Sequence, residues 1–307
     1  MKAARIHQFG PPDVIVIEDV PRPAPGTSEI LIRVKAAGVG PWDALIREGR
    51  SKVSPQPPLI LGSDLSGIVE AVGPGVTTLN RGDEVYSVTN PQFCGAYAEY
   101  ALASSGMVGR KPARLSHVEA ASVPVVAVTA WQMLFDYAHL RAGETALILG
   151  AAGNVGAYSV QLAAQAGIRL IATAGPNDLE YVRSLGAETV VNYRSDALDY
   201  GSWSVDAVID LVGGETREQS TRALKQGGIL VSVVSPDPVS TRSDVRSVFF
   251  YVDVTTARLK TISEMFEAGT LSTQVGTVLP LEQVRAAHEM LAGAPHARGK
   301  IVLRVDV

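Results

Sequence analysis

Residues 147–167, LILGAAGNVGAYSVQLAAQAG, place an apolar strand, a glycine turn and an alanine-rich helix in immediate succession. Gly150, Gly153 and Gly156 recur every third residue, so the chain turns tightly and its helix starts against the strand it has just left. A strand that feeds a helix this directly commits its surroundings to strand–helix–strand units, and so to a parallel sheet. The alternation continues downstream. RLIATA, TVVNY, VDAVIDLV and ILVSVV read as apolar strands, with NDLEYVRSLG and REQSTRALKQGG as helices between them. Upstream, residues 116–140 (SHVEAASVPVVAVTAWQMLFDYAHL) read as one long helix opened by a Ser116-x-x-Glu119 capping box. Nearly continuous apolar strands belong to a sheet covered on both faces, which makes this an α/β, doubly wound domain.

The first ~115 residues obey a different period. EILIRVKAAGV alternates as a half-buried strand, VIVIEDV, LSGIVEAVG, DEVYSVT and AYAEYALAS resemble it, and Gly/Pro-rich turns such as PRPAPGT and PGVTTLNRG separate them. A turn or two of helix fits WDALIREG. At 307 residues the chain exceeds the ~250 at which single cores tend to split. Two domains are expected: a β-rich one over 1–118, to which 258–307 return, and the doubly wound one over 119–257. The return would consist of helices TTARLKTISEMFEAG and LEQVRAAHEMLAG and a closing strand GKIVLRV.

Composition removes several classes of function. Charged residues make up 19 % of the chain, the net charge is −4, and no Lys/Arg-rich run interleaves with aromatics, so no nucleic-acid partner is expected. No run nears the ~18 apolar residues of a membrane span, and the first residues lack a secretory signal pattern; a cytoplasmic location without a membrane partner is expected. Cys94 is the single cysteine, and His7, His117, His139, His288 and His296 are scattered without ligand spacing, so no metal site is expected. No G-x-S-x-G elbow occurs, and Cys94 has no His nearby in sequence.

Because the glycine run follows a strand and opens a helix, it meets the context test for a dinucleotide fingerprint; the bland alternative is a plain α/β turn. Helix-terminal N–H groups and the positive end of the dipole would take the pyrophosphate. NAD would then require an acid about 20 residues on, for the ribose 2′-hydroxyl. Thr173, Ala174 and Gly175 stand there instead, which admits NADPH. Contacts to its 2′-phosphate could come from Thr173, Tyr193 or Arg194, although Arg194 reads equally as a solvated charge. Asp178 is unhelpful to a phosphate.

Eight segments carry a resemblance over almost the whole chain: AAGVGPWDALIREG (36–49), LGSDLSGIVEAVGPGV (61–76), RGDEV (81–85), GAYAEY (95–100), AASVPVVAVTAW (120–131), GAAGNVG (150–156), SLGAETVVNYR (184–194) and GKIVL (299–303). Together they resemble the medium-chain dehydrogenase/reductase family, in its zinc-independent quinone oxidoreductase branch. The resemblance implies a GroES-like β-rich domain and a Rossmann domain. Zinc-dependent relatives place a Cys where Gly40 stands, and a His-Glu pair where Ser63 and Asp64 stand. The chain also departs from the quinone oxidoreductase pattern: Asn154 replaces a glycine, Ala164 a basic residue and Gly40 an asparagine, Leu45 and Ile46 stand where a tyrosine is common, and Asp178 where many relatives carry a lysine.

By the same resemblance, the cofactor NADPH would be bound through Thr129, Gly150, Ala152, Gly153, Asn154, Val155, Gly156, Thr173, Tyr193, Arg194, Val212, Val234 and Lys300. Trp42, Ile46 and Val125 would line the pocket of a quinone or enone substrate. Trp42 reads almost as well as a core residue, and Thr129 as a core hydroxyl bonded to helix backbone. Asp43 and Arg47, four apart, read as a helix ion pair. Hydride transfer to a quinone or activated alkene asks little acid–base chemistry of the protein. The activity implied is NADPH-dependent reduction of such acceptors without zinc. Alternatives are an enone or alkenal double-bond reductase and a non-catalytic NADPH-binding protein. SVFFYVDV (247–254) reads as an apolar edge strand through which two copies would form a homodimer.

Overall fold

The computed structural model describes residues 1–195, 198–237 and 242–305. The chain divides into two compact units, Met1–Val125 with Val254–Val307, and Val126–Asp253. The sequence-based boundaries, 118/119 and 257/258, fall within several residues of these.

The second unit is built on a parallel sheet. Its strands lie in the order Thr189–Asn192, Arg169–Ala174, Thr145–Leu149, Val205–Asp210, Leu224–Ser232, Arg246–Phe249, and every pair among them is parallel. Numbered by appearance, this order is third, second, first, fourth, fifth, sixth, that of a Rossmann fold. The chain reverses its direction of travel across the sheet between Thr145–Leu149 and Val205–Asp210. Leu147, Leu149, Val208 and Leu230 are buried in one cluster with Tyr200 and Ala223 of two 3-10 turns.

Two helices end earlier than their periodicity suggests. The 116–140 run is interrupted: the helix His117–Ala121 stops, a new one spans Pro124–Trp131, and Gln132–Tyr137 is π-helical. Pro124 has no N–H to give and holds Val123 away from helical angles, so the apolar run cannot stay one rod. The capping box at its start is present: the Glu119 N–H donates to Ser116 Oγ at 3.3 Å and the Ser116 N–H to Glu119 Oε2 at 2.8 Å. The second correction concerns REQSTRALKQGG. The helix Gly214–Ser220 and a 3-10 turn Thr221–Ala223 are followed at once by the strand Leu224–Ser232, in which Gly227 takes φ +76°. The Arg242 guanidinium donates to the Thr221 and Leu224 carbonyls and fixes that transition. The apolar edge expected over 247–254 is paired only as Arg246–Phe249.

The first unit is β-rich. Its larger sheet runs Val275–Pro280, Lys300–Arg304, Glu29–Val39, Asp64–Val72, Glu84–Val88, Val108–Arg110, and Tyr100–Ser104 also pairs with Glu29–Val39. A smaller sheet holds Ile15–Asp19, Lys2–Ile6 and Leu59–Ile60. The C-terminal return is literal: Lys300–Arg304 pairs antiparallel to Glu29–Val39. Alternate residues Ile30, Ile32 and Val34 face the core with Leu65, Val69, Val85, Ile301 and Leu303. The GroES-like and Rossmann architectures implied by the resemblance are both present.

Candidate active site

In the second unit, the site is the C-terminal edge of the sheet at its reversal point, where open α/β sheets bind ligands. Gly150 adopts φ +76°, a conformation open to glycine. A Cβ on Gly156 would lie 2.3 Å from the Gly150 carbonyl oxygen and 2.7 Å from Ala151 Cα, so the helix Asn154–Gln165 can approach the strand only with hydrogen there. Gly153 is the exposed N-cap of that helix, and Ala152, Asn154 and Val155 are half-buried beside it. The first-turn N–H groups of an α-helix have no intrahelical partner, which leaves an anion cradle at this turn.

Thr173 serves the turn from inside. It is 3 % exposed; its hydroxyl accepts from the Gly150 N–H at 3.3 Å and donates to the Ile148 carbonyl at 3.4 Å. That use differs from the phosphate contact suggested by sequence. At the next strand's end Tyr193 is 50 % exposed and Arg194 is exposed, with the guanidinium carbon 5.7 Å from the Tyr193 ring centre. A Cβ on Gly175 would stand 3.7 Å from Tyr193 Oη and 3.5 Å from Asp178 Oδ2, so the phenol and one carboxylate border this shelf.

Val212 and Val234, 49 % and 47 % exposed, flank the reversal point on two loops. Both loops hang on one fully buried carboxylate that sequence reasoning missed. Asp210 Oδ1 accepts from the Val212 N–H at 3.1 Å and the Gly213 N–H at 2.8 Å; Oδ2 accepts from Ser232 Oγ at 2.7 Å. Ser232 Oγ in turn accepts from the Val234 N–H at 3.1 Å. The signal was available: an acid, Asp210, ends the strand VDAVID after an apolar run, just before a glycine loop at the sheet's binding edge. Thr129 lies in the same unit, buried in the helix Pro124–Trp131.

In the first unit, a buried polar cluster surrounds the short helix Pro41–Arg47. The half-buried Trp42 donates its indole N–H to Ser63 Oγ at 2.7 Å, and its ring centre lies 4.2 Å from Lys300 Nζ. Lys300, 2 % exposed, donates to Asp64 Oδ2 at 3.2 Å, and Asp64 Oδ1 accepts from the Val125 N–H at 3.0 Å. The cluster thus gathers Trp42, Val125 and Lys300, while Ile46 is buried on the same helix. Lys300, named as a cofactor contact by resemblance, has its ammonium on Asp64.

Asp43 and Arg47 do not form the expected pair. Asp43 Oδ2 accepts from the Gly40 N–H at 2.8 Å and the Tyr97 hydroxyl at 3.0 Å. Arg47 turns the other way, to the Gly10 carbonyl, Glu48 and His288 Nδ1. One side chain faces into the unit and the other binds the C-terminal helix Val284–Leu291. Burial pushes the Asp43 carboxyl up to about 7 and, together with the Arg47 charge, His288 down to about 3. Burial also pushes the Cys94 thiol up to about 11, which leaves it protonated and a poor nucleophile.

These residues do not fit a zinc ion. Gly40 has no donor atom, the Ser63 hydroxyl takes the indole proton, and the Asp64 carboxylate already faces an ammonium. No cluster of three or more His, Cys, Asp or Glu with ligand geometry occurs among the described residues.

Residues 26–113 match the family model of the alcohol dehydrogenase GroES-like domain, and residues 185–303 that described as zinc-binding dehydrogenase. The quinone oxidoreductase of Lama guanicoe is 32 % identical, over 99 % of this chain and 97 % of its own length. The structure of the quinone oxidoreductase from Coxiella burnetii superposes with a TM-score of 0.91 at 34 % identity, covering 100 % of this chain and 99 % of that one. A mycobacterial protein solved in complex with NADPH gives 0.88 at 28 % identity, over 99 % of both chains. With its two domain types, its Rossmann strand order and relatives alike from end to end, this chain belongs to the medium-chain dehydrogenase/reductase superfamily, in its quinone oxidoreductase branch.

Proposed function

We propose that the protein is an NADPH-dependent oxidoreductase that passes hydride to a quinone, or to another activated carbonyl or alkene, without zinc. The observation that carries this reading is the reversal-point cradle, in which Gly150, Gly153 and Gly156 open a helix N-terminus between the exposed Val212 and Val234. Backbone N–H groups of Ala152, Asn154, Val155 and Gly156 would take the pyrophosphate, while the Gly153 N–H, held by the Gly150 carbonyl at 3.1 Å, keeps the turn closed. Tyr193 and Arg194 meet the 2′-phosphate, at a strand end that carries Ala174 and Gly175 in place of an acid. Val212 and Val234 supply apolar flanks, and Thr129 a hydroxyl, to the nicotinamide half. Bound NADPH supplies the hydride itself. The chain's part is to orient the acceptor and exclude water, for which Trp42, Ile46 and Val125 are suited.

Two kinds of observation favour zinc-free chemistry: the donor-poor set Gly40, Ser63 and Asp64, and the ammonium of Lys300 on that carboxylate. The protein acts in the cytosol as a homodimer formed through the Arg246–Phe249 edge.

The test is NADPH and NADH oxidation, followed at 340 nm, against benzoquinone, a polycyclic ortho-quinone and a short alkenal. Faster oxidation of NADPH than NADH with quinones is expected, unchanged by EDTA, and Arg194→Ala should narrow the NADPH preference by about tenfold, the worth of one charge-assisted contact. Turnover confined to the alkenal would reassign the protein as a double-bond reductase. Tight NADPH binding without turnover of any acceptor would make it a non-catalytic binder, and loss of activity with EDTA would restore a metal.

A further inference from the structure

Trp42 occupies an unusual seat. A Cβ on Gly40 would lie 2.3, 2.4 and 2.6 Å from Cη2, Cζ2 and Cζ3 of the indole, so the six-membered ring packs where a side chain at position 40 would stand. The indole N–H is held by Ser63 Oγ at 2.7 Å. Lys300 Nζ lies 4.2 Å from the ring centre, and Asp64 fixes that ammonium at 3.2 Å. Lys300 itself is admitted by another glycine: a Cβ on Gly38 would lie 3.1 Å from Lys300 Cε and 3.0 Å from Asp64 Cβ. The ring is therefore fixed at an edge by a hydrogen bond, by a cation at its π system, and by close packing on backbone.

Gly40, Ser63 and Asp64 are the positions at which zinc-dependent relatives were matched to their metal ligands. In this chain the same three positions seat an aromatic ring: Gly40 makes the room, Ser63 accepts the N–H, and Asp64 anchors the ammonium. Burying a Lys–Asp pair is costly in free energy and is weak evidence of a gain in stability. Here its geometric result is a rigid indole that is not fully buried.

We propose that Trp42 determines acceptor specificity by offering its ring as a stacking platform that favours planar, polycyclic aromatic quinones over aliphatic enals, with Gly40, Ser63 and Lys300 as its positioning residues. This rests on the oxidoreductase reading above. An offset-stacked aromatic pair contributes up to about 1.5 kcal/mol beyond burial, close to tenfold in affinity, and an aliphatic alkenal has no ring with which to obtain it.

Two measurements test the platform. In steady-state assays with saturating NADPH, the ratio of kcat/KM for phenanthrenequinone to that for 2-hexenal should fall about tenfold in Trp42→Leu, mainly through the quinone KM, and recover in Trp42→Phe. Ser63→Ala, which frees the indole N–H, should lower the ratio by a smaller factor. Independently of turnover, titration calorimetry with phenanthrenequinone in the absence of NADPH should show binding to wild type weakened about tenfold in Trp42→Leu. Thermal unfolding of each variant verifies that it is folded, and Trp42→Phe supplies the comparison should Trp42→Leu not fold. An unchanged acceptor ratio, or a Trp42→Phe variant as impaired as Trp42→Leu, overturns the platform. Absence of turnover with every acceptor defeats the oxidoreductase reading instead, and the calorimetric comparison still decides whether Trp42 holds an aromatic ring.

Discussion

At the scale of single residues, the polar cluster of each unit is organised by a buried carboxyl group with a partner remote in sequence. Asp210 satisfies Val212 and Gly213 nearby but also Ser232, 22 residues on. Asp210→Ala removes the acceptor for three donors in a buried place, so a loss of about 2–4 kcal/mol in stability is expected from chemical denaturation. The milder Asp210→Asn keeps an acceptor for the Val212 loop and should raise the NADPH KM more than it lowers kcat. An unaltered cofactor KM in a folded Asp210→Asn would disconnect the two loops from binding. Asp43 gives a pH signature. Its folded carboxyl titrates at about 7 because of burial, above the ordinary 3.8 of an unfolded chain. The folded state therefore holds the proton more tightly; this contribution is complete below pH ~4 and is lost as pH rises towards about 7. Asp43→Asn removes that loss, so the variant's stability relative to wild type should rise by about 1.4 kcal/mol per pH unit through the window. Denaturation midpoints at pH 4.5, 5.5 and 6.5 measure it, and parallel curves would show that Asp43 does not titrate there. His288 acts with the opposite sign: its depressed value, caused by burial and Arg47, adds stability that is lost as pH falls from the usual 6.5 to about 3. The partnerships of Asp43 and Arg47 were not legible in the sequence. Tyr97 is 54 residues from Asp43 and His288 is 241 from Arg47, so the local i, i+4 spacing of Asp43 and Arg47 suggested the wrong pair.

At the scale of elements, legibility followed locality. The strand Glu29–Val39 was read to the residue, because alternation and the turns on either side are all within its own sequence. The strand Val275–Pro280 was missed: it carries Gly276 and ends in Pro280, and its pairing with Lys300–Arg304 is what makes it a strand. Residues 116–140 look uniformly apolar, and that pattern hid the break at Pro124. The glycine turn was the opposite case, since its chemistry is a steric fact at one position. Gly156→Ala would drive a methyl to 2.3 Å from the Gly150 carbonyl oxygen and 2.8 Å from the Ala151 carbonyl carbon, both backbone atoms with little freedom to yield. A loss of about 2 kcal/mol or more in stability is expected, in the range of overpacking, with NADPH affinity falling by at least tenfold as the helix start moves off the strand. Fluorescence titration with NADPH checks this. A Gly156→Ala variant that binds NADPH as wild type does would mean that the helix can shift without disturbing its N-terminal cradle. Gly153→Ala makes the control, because only the Gly150 oxygen, at 3.4 Å, comes near a Cβ there.

At the scale of the whole molecule, the feature left to explain is the outer strand Arg246–Phe249, which ends the Rossmann sheet among the described residues. A flat apolar edge invites pairing with another chain. Here Phe249 and Tyr251 meet edge to face with ring centres 5.2 Å apart, and Tyr251 is 61 % exposed, whereas Phe250 stacks inward on Tyr137 at 4.2 Å. Two such edges related by a two-fold axis run antiparallel, so a junction between copies can hydrogen-bond although every pair within the sheet is parallel. In that isologous arrangement each residue near the axis approaches its own counterpart. Tyr251→Glu would thus set a carboxylate from one copy near that of the other, while in an isolated chain it would merely add a charge at an exposed site. Light scattering at micromolar concentration is expected to give twice the monomer mass for wild type and a shift towards monomer for Tyr251→Glu, reversed in part by high salt as the like charges are screened. The thermal midpoint of Tyr251→Glu should then depend on protein concentration less than that of wild type does, because assembly no longer contributes to stability. A wild-type chain that scatters as a monomer would exclude the junction and leave the aromatic edge open in solution.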